Sequence, residues 1–183
     1  MNDVRIRMAR AIEAETIARV HVQAWVESYR GLVPDDVIEA LSVERNTGMW
    51  GGILGSEHAA IVHVVERCGL KADTTEIVGF GSAADARSPE LGTSGEVTAL
   101  YLLEAVKRGG IGRALLTSLL DALAARGHRS AGLWVLVDNQ GTRRFYEAVG
   151  GRAGPRRVVT DGPAVMDEIA YVWDDLMGFA GEN

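Results

Sequence analysis

One stretch of the chain, residues 95–126, joins an apolar segment, a basic glycine-rich turn and an amphipathic segment. Residues 96–103 are rich in apolar and β-favouring side chains, which predicts a strand. After the turn at residues 107–113, apolar residues recur at the spacing of a helix with one buried stripe: Ile111, Leu115, Leu116, Leu119, Leu120 and Leu123. The sequence therefore predicts strand, turn and helix in this order, with Gly110 and Gly112 in the first turn of the helix.

Two glycines at the start of a helix suggest that some group approaches the backbone closely, because glycine costs roughly 1 kcal/mol relative to alanine there. The free N–H groups of a first helical turn attract anions. Lys107, Arg108 and Arg113 add positive charge around the turn, which favours a phosphate-bearing ligand. A glycine-rich turn is more often a simple chain reversal, so both interpretations stay open on physical grounds.

Two common phosphate-binding motifs are excluded by spacing. A Walker A loop requires Gly, four residues and then Gly-Lys-Ser/Thr, and no such run occurs in the sequence. A dinucleotide fingerprint requires G-x-G-x-x-G, which the segment beginning at Gly110 does not complete.

The segment resembles instead the acetyl-coenzyme A motif of the GCN5-related N-acetyltransferase (GNAT) superfamily, R/Q-x-x-G-x-G/A after a strand. The motif reads Lys107-Arg108-Gly109-Gly110-Ile111-Gly112, with lysine replacing the usual Arg or Gln. A second block is similar to the family's second signature, in which Asn139 and Phe145-Tyr146 precede a helix-ending glycine. Two motifs in the right order are more specific than one, and the resemblance is clear over residues 79–151.

The resemblance implies an α/β (α+β) fold with a mixed, mostly antiparallel sheet of six or seven strands, flanked by about four helices. Patterning predicts strands at residues 4–8, 59–67, 76–84, 96–103, 130–137, 156–160 and 165–173. It predicts helices at residues 9–29, 34–41, 42–52 and 111–126, and one after Asn139. We expect a single N-acetyltransferase domain over residues 1–183, with the acetyl-CoA-binding core at about 95–151 and variable acceptor-site helices at about 10–55.

Composition argues against several other classes of function. A net charge of −6 without a long basic stripe argues against a nucleic-acid partner. One cysteine, Cys68, and four scattered histidines provide neither an internal disulfide nor metal-ligand spacing. The N-terminus has no signal-peptide pattern, and no stretch approaches 18 consecutive apolar residues, so we expect a cytoplasmic protein with no membrane partner.

The resemblance also implies which residues bind acetyl-CoA. Leu100, Tyr101 and Leu102 are expected to hold the thioester and pantetheine through the main chain. The diphosphate is assigned to the motif and its flanking arginine: Lys107, Arg108, Gly109, Gly110, Ile111, Gly112 and Arg113. Asn139 is expected either to hydrogen-bond the coenzyme arm or to cap the following helix, a position that asparagine favours by itself.

Amide formation from a thioester requires a neutral amine, a stabilised oxyanion and a proton for the departing thiolate. By resemblance, Tyr146 donates that proton, and the alternative is an aromatic packing residue. Glu96 is the candidate base, acting directly or through a water, and its alternative is an exposed carboxylate at a strand end. The reaction that the resemblance implies uses no metal.

The acceptor site is expected in the N-terminal helices, where Trp25, Glu27 and Tyr29 resemble a stretch of a small-molecule acetyltransferase branch. An aromatic pair at i and i+4 is more often a packing pair than an amine box, so both interpretations stay open. Trp134 stands where peptide-specific relatives often carry glutamate. We therefore predict acetyl transfer to a small primary amine by direct attack in a ternary complex. The alternatives are a protein or peptide N-acetyltransferase and a non-catalytic acyl-CoA sensor. Because related enzymes are often dimers, the resemblance also raises the expectation of a homodimer.

Overall fold

The structure is a computed structural model that describes residues 4–56, 60–68, 75–161 and 164–179. Its sheet contains seven strands, as predicted. They are β1 (Val4–Met8), β2 (Ile61–Cys68), β3 (Thr75–Asp85), β4 (Gly95–Leu102), β5 (Ala131–Leu136), β6 (Arg152–Asp161) and β7 (Ala164–Trp173).

Four helices of nine or more residues flank the sheet, and two shorter ones accompany them. They are α1 (Ala14–Tyr29), α2 (Asp35–Glu39), α3 (Val43–Gly55), α4 (Ile111–Ala125), α5 (Gln140–Ala148) and α6 (Leu176–Phe179). No helix among the described residues is long and apolar enough to cross a membrane.

The strands follow the order β1-β2-β3-β4-β5-β7-β6 across the sheet. Every neighbouring pair is antiparallel except β4 and β5, which are parallel and are connected through α4. This crossover is the strand–helix–strand unit that the sequence predicts over residues 96–137. The expected turn at residues 69–75 lies largely outside the described residues, and so do two of the three residues of the turn between β6 and β7.

Helix α4 packs on the sheet with the predicted apolar stripe. All six of its predicted core side chains are buried, from Ile111 at 7% exposed to Leu123 at 0%. Gly110 is the N-cap residue, with a left-handed φ of 78° that suits glycine. The helix therefore begins where the glycine pattern predicts.

The opposite face of β3 and β4 is covered by α1 and α3. An aromatic cluster joins α1, α3 and β3. His21 of α1 packs edge-on against Trp50 of α3 and Phe80 of β3. The Trp50 Nε1–H donates to His21 Nδ1 at 3.2 Å, and burial lowers the pKa of His21 to about 4. A neutral histidine at this position holds α1 against the sheet, which fixes the last turn of α1 beside β4.

Candidate active site

The cavity of the protein arises where β4 and β5 separate. The two strands pair only at Gly95 with Ala131 and at Glu96 with Gly132. Just beyond, the register between β3 and β4 shifts because Thr98 is an extra residue on β4, which is a β-bulge. The bulge bends β4 away from β5, so the edge of β4 that faces β5 has no ladder partner beyond Glu96 in the described sheet.

The gap holds a cavity of about 660 Å³. Its walls come from β4, β5, the end of α1, the glycine-rich turn and α5. Most of the predicted site residues line it: Glu27, Tyr29, Leu100, Tyr101, Leu102, Lys107, Arg108, Gly110, Gly112, Arg113, Asn139 and Tyr146. Trp25, Glu96, Gly109 and Ile111 are the predicted site residues that do not.

One end of the cavity is the N-terminus of α4. The first intrahelical bond runs from Ala114 N–H to the Gly110 carbonyl, and no side chain caps the helix. The amides of Ile111, Gly112 and Arg113 therefore have no backbone partner in the described chain. No atom lies within 4 Å of where a Cβ on Gly110 would be, so the approach to these amides is open.

The basic side chains beside this end have local partners that fix them. The Lys107 Nζ lies 2.9 Å from a Glu104 carboxylate oxygen, and the Arg113 Nη2 donates to the Ala148 carbonyl at 2.8 Å. Arg108 is exposed and has a left-handed φ of 67°, which a residue other than glycine rarely adopts. Oriented amides together with these cations form an anion site.

Tyr146 lies on α5 between the cavity and the core. Its ring packs against Tyr171, with centroids 5.7 Å apart, and edge-on against Trp173. Burial, and secondarily the nearby Tyr29, raise the pKa of the Tyr146 phenol well above its usual value. The hydroxyl makes no hydrogen bond to any described residue and is not fully enclosed. This phenol stays protonated at neutral pH and is accessible from the cavity.

Two further phenols, Tyr29 and Tyr101, line the cavity. The Trp25 Nε1–H donates to the Tyr101 hydroxyl at 2.9 Å, and the Tyr29 phenol lies close enough to influence the pKa of Tyr101. Burial raises the pKa of both phenols. Trp25 and Tyr29 are also in ring contact, at 4.5 Å between centroids. Trp25, which does not line the cavity, therefore orients Tyr101 and Tyr29, which do.

Both carboxylate oxygens of Glu27 are already hydrogen-bonded to other residues of the chain. Its Oε2 accepts from the Glu104 N–H at 2.8 Å, and its Oε1 accepts from Gln23 Nε2 at 2.9 Å. The side chain thus ties α1 to the turn that follows β4, close to Lys107. These contacts of Glu27 hold the turn after β4 against the end of α1.

Asn139 occupies the N-cap of α5. Its side-chain oxygen accepts from the Thr142 N–H at 3.2 Å, which is the capping alternative that the sequence leaves open. Asn139 also lines the cavity, so its amide group is near any ligand that enters between β4 and α5. The neighbouring Arg143 is turned towards the protein, where it donates to the Val137 carbonyl at 2.9 Å.

Glu96 is buried and not exposed at a strand end, with 3% of its surface accessible. Its carboxylate accepts from the Arg87 backbone N–H at 2.9 Å and from Arg87 Nη2 at 2.9 Å. The side chain lies next to the point where β4 and β5 part but outside the cavity lining. Its observed contacts hold the loop after β3 against the sheet.

Sequence reasoning treated Trp134 only as a departure from peptide-specific relatives, and it missed Ser88, Arg157 and Glu168. These residues meet on the face of β5, β7 and β6 opposite α5. The sequence does contain a signal for two of them, because a tight hairpin turn near residues 161–164 would place Arg157 opposite Glu168. The structure shows this pairing. Within the described residues, no group of three or more His, Cys, Asp or Glu side chains is placed to hold a metal ion.

Comparison with known proteins gives concordant results. The model of the acetyltransferase (GNAT) family matches residues 37–150, which is more than half of the chain. An uncharacterized N-acetyltransferase of Bacillus subtilis, YuaI, is 30% identical over 177 residues, and the match covers 94% of each chain.

Solved structures show the same fold at lower identity. The PaiA N-acetyltransferase of Thermoplasma acidophilum, crystallised with coenzyme A, is 19% identical with a TM-score of 0.70, covering 93% of this chain and 99% of its own. The acetyltransferase yncA of Salmonella typhimurium, crystallised with acetyl-CoA, is 18% identical with a TM-score of 0.66, covering 94% of both chains. On the family match and the YuaI relationship, this chain is a member of the GNAT family of N-acetyltransferases.

Proposed function

We propose that this chain transfers an acetyl group from acetyl-CoA to the primary amine of a small molecule, by direct attack in a ternary complex. The observation that carries the proposal is the layout of one cavity. The uncapped N-terminus of α4 lies at one end, and the protonated phenol of Tyr146 lies beside the gap between β4 and β5. Family membership and the coenzyme-bound relatives support acetyl-CoA as the donor.

The residues present suit this donor. A diphosphate requires several converging N–H donors and positive charge, and the amides of Ile111, Gly112 and Arg113 provide the donors. Lys107 and Arg108 add charge at the same end. The unpaired edge of β4 offers main-chain groups to an extended polar arm, as a neighbouring strand would. Acetyl-CoA supplies an activated thioester, and the chain supplies the site for the attack.

Tyr146 would protonate the departing thiolate. A group that donates a proton must be protonated before the reaction, and the raised pKa of this phenol keeps it so throughout the neutral range. Its hydroxyl is not committed to a protein partner, so it can turn towards the sulfur. In the same step the amine nitrogen bonds to the carbonyl carbon, the carbon–sulfur bond breaks and the thiolate takes the phenolic proton.

Glu96 is our candidate for the proton that the amine loses, directly or through a water. Its carboxylate is engaged by Arg87, so a structural role competes with the catalytic one. Glu96→Gln separates them. Loss of a base lowers kcat by about 10²-fold or more and shifts the acidic limb of the pH–rate profile. A purely structural role lowers thermal stability and leaves the pH profile unchanged.

The proposed function is tested by thiol release with acetyl-CoA and a panel of monoamines, diamines and short peptides, with products identified by mass. We expect acetylation of at least one small primary amine and saturable acetyl-CoA binding by calorimetry. Acetyl-CoA binding without turnover on any acceptor would favour an acyl-CoA sensor. Turnover restricted to peptides would favour a peptide acetyltransferase. Either outcome would overturn the proposal.

A further inference from the structure

The two halves of the sheet are covered differently. On β5 and β7, Leu133 and Tyr171 face α4 and α5 and belong to the core. The opposite face of these strands carries Gly132 and Trp134, and Leu91 and Ala86 pack there. No described α-helix contributes a side chain to the apolar cluster on this face, and Trp134 also lines the cavity.

Trp134 lies on this face and has partners on two neighbouring side chains. Its Nε1–H donates to the Ser88 hydroxyl at 3.3 Å. The guanidinium carbon of Arg157 lies 4.0 Å from the indole centroid, a cation–π contact. Arg157 is fixed in turn by Glu168, whose Oε2 accepts from its Nε at 2.7 Å. Three other segments of the chain thus position one indole, and that indole also lines the cavity.

The charges on this face are already compensated. Glu168 is paired with Arg157, and Glu96 is paired with Arg87 at 2.9 Å. Each carboxylate already carries an arginine partner, so a second ammonium group on the ligand would compete with a guanidinium for either one. Partial burial of that charge without a partner is unfavourable. The surfaces nearest the acceptor end are aromatic instead, namely Tyr29, Trp134 and Tyr146.

We propose that the acceptor is a primary monoamine with a flat apolar body, and that Trp134, held by Arg157 and Ser88, is the residue that selects it. The body packs on the open surface of the indole, and the amine points towards Tyr29 and Tyr146 at the gap between β4 and β5. This inference rests on the proposed acetyltransferase function. It adds the class of acceptor and the residue that determines specificity.

The first test uses the unmodified protein, so it does not depend on any variant folding. We compare kcat/KM for 2-phenylethylamine with that for 1,5-diaminopentane at saturating acetyl-CoA. The expected ratio is about tenfold or more in favour of the aromatic monoamine, in line with aromatic packing and an unpaired second charge. Equal rates or a preference for the diamine would overturn the inference while leaving acetyl transfer established. Absence of turnover with every amine would instead contradict the proposed function.

The second test asks whether Trp134, held by Arg157 and Ser88, determines the acceptor selectivity. Trp134→Leu should raise the KM for 2-phenylethylamine about tenfold, with the KM for acetyl-CoA within about twofold. Arg157→Leu should reduce the same preference, because the indole loses one of its two anchors. Arg156→Leu is the matched control, since Arg156 is exposed on the other face of β6 and should leave all constants unchanged. An acceptor preference that survives Trp134→Leu would exclude Trp134 as the selecting residue.

Discussion

The sharpest prediction concerns the Tyr146 phenol, through Tyr146→Phe. The substitution removes one oxygen and keeps the ring that packs against Tyr171 and Trp173. Because the hydroxyl is bonded to no described residue, the free energy of unfolding should change by less than about 0.5 kcal/mol. A positioned general acid contributes about 10²- to 10⁴-fold, so kcat should fall by that factor, equivalent to about 3–5 kcal/mol of transition-state stabilisation.

The assay is steady-state thiol release with the best amine of the panel, together with calorimetric binding of acetyl-CoA and a urea unfolding curve. Tyr171→Phe is the matched control: it removes the hydrogen bond from the Tyr171 hydroxyl to Glu147 Oε1, at 2.6 Å. It should cost about 1 kcal/mol or more of stability with kcat within about threefold of the parent. If Tyr146→Phe keeps kcat within about threefold, the phenol is a packing residue and the acid assignment is wrong.

Three further predictions, which use four substitutions, test the physical account of the fold and of the anion site. Hydrogen bonds from Arg7 are the chief cause that lowers the pKa of Glu13 to about 2. The ionised carboxylate therefore contributes on the order of 2 kcal/mol to the free energy of unfolding above pH 4.5, and this contribution is lost as the pH falls towards 2. In urea unfolding curves, the difference in stability between the parent and Glu13→Gln should narrow over the same pH range. Gly79→Ala places a Cβ 2.8 Å from the Tyr101 carbonyl oxygen and should lower the free energy of unfolding by about 2 kcal/mol or more. Gly48 lies in the interior of α3 with open space at its Cβ position, so Gly48→Ala should raise the free energy of unfolding by up to about 1 kcal/mol. Similar melting temperatures for the two variants would contradict the packing around Gly79. Arg108→Gly relieves a left-handed φ and should leave stability equal or higher while the Kd for acetyl-CoA rises about three- to tenfold in calorimetry; an unchanged Kd would remove Arg108 from the diphosphate site.

The elements that the sequence predicts best are those whose signals are local. Helix α4 begins at Ile111 because a glycine with positive φ precedes it, and its apolar stripe repeats at the helical period. Strand β1 was predicted with its observed bounds, Val4–Met8, because its apolar and basic residues alternate. In each case the information needed to form the element is contained in the element itself.

The predictions of element ends were wrong where tertiary contacts outweigh local propensity. Helix α3 was expected to end at Gly51-Gly52 but continues to Gly55, with Trp50 buried against the α1 layer. Strand β6 was expected to begin at residue 156 but begins at Arg152, and the ladder skips Gly154 and Pro155. Proline lacks an N–H, which an edge strand tolerates because one side has no partner. Pairing with β7 at Arg152 and Ala153 therefore extends β6 past residues that usually end a strand.

For the active site as well, residues within a contiguous motif were predicted, whereas surroundings that depend on distant residues were not. Backbone sites such as Gly110 and Gly112 follow from a motif that is contiguous in the chain, and both line the cavity. The surroundings of Glu96 depend on Arg87, which comes from the loop after β3 and which no spacing rule connects to a strand-end carboxylate. Glu96 is buried and Arg87 is mostly exposed, so replacing Glu96 removes the contacts that hold the Arg87 loop against the sheet. Any loss of activity on changing Glu96 therefore combines a chemical and a conformational effect. Only a measurement that responds to proton transfer alone, such as the pH–rate profile, can assign the base in this protein.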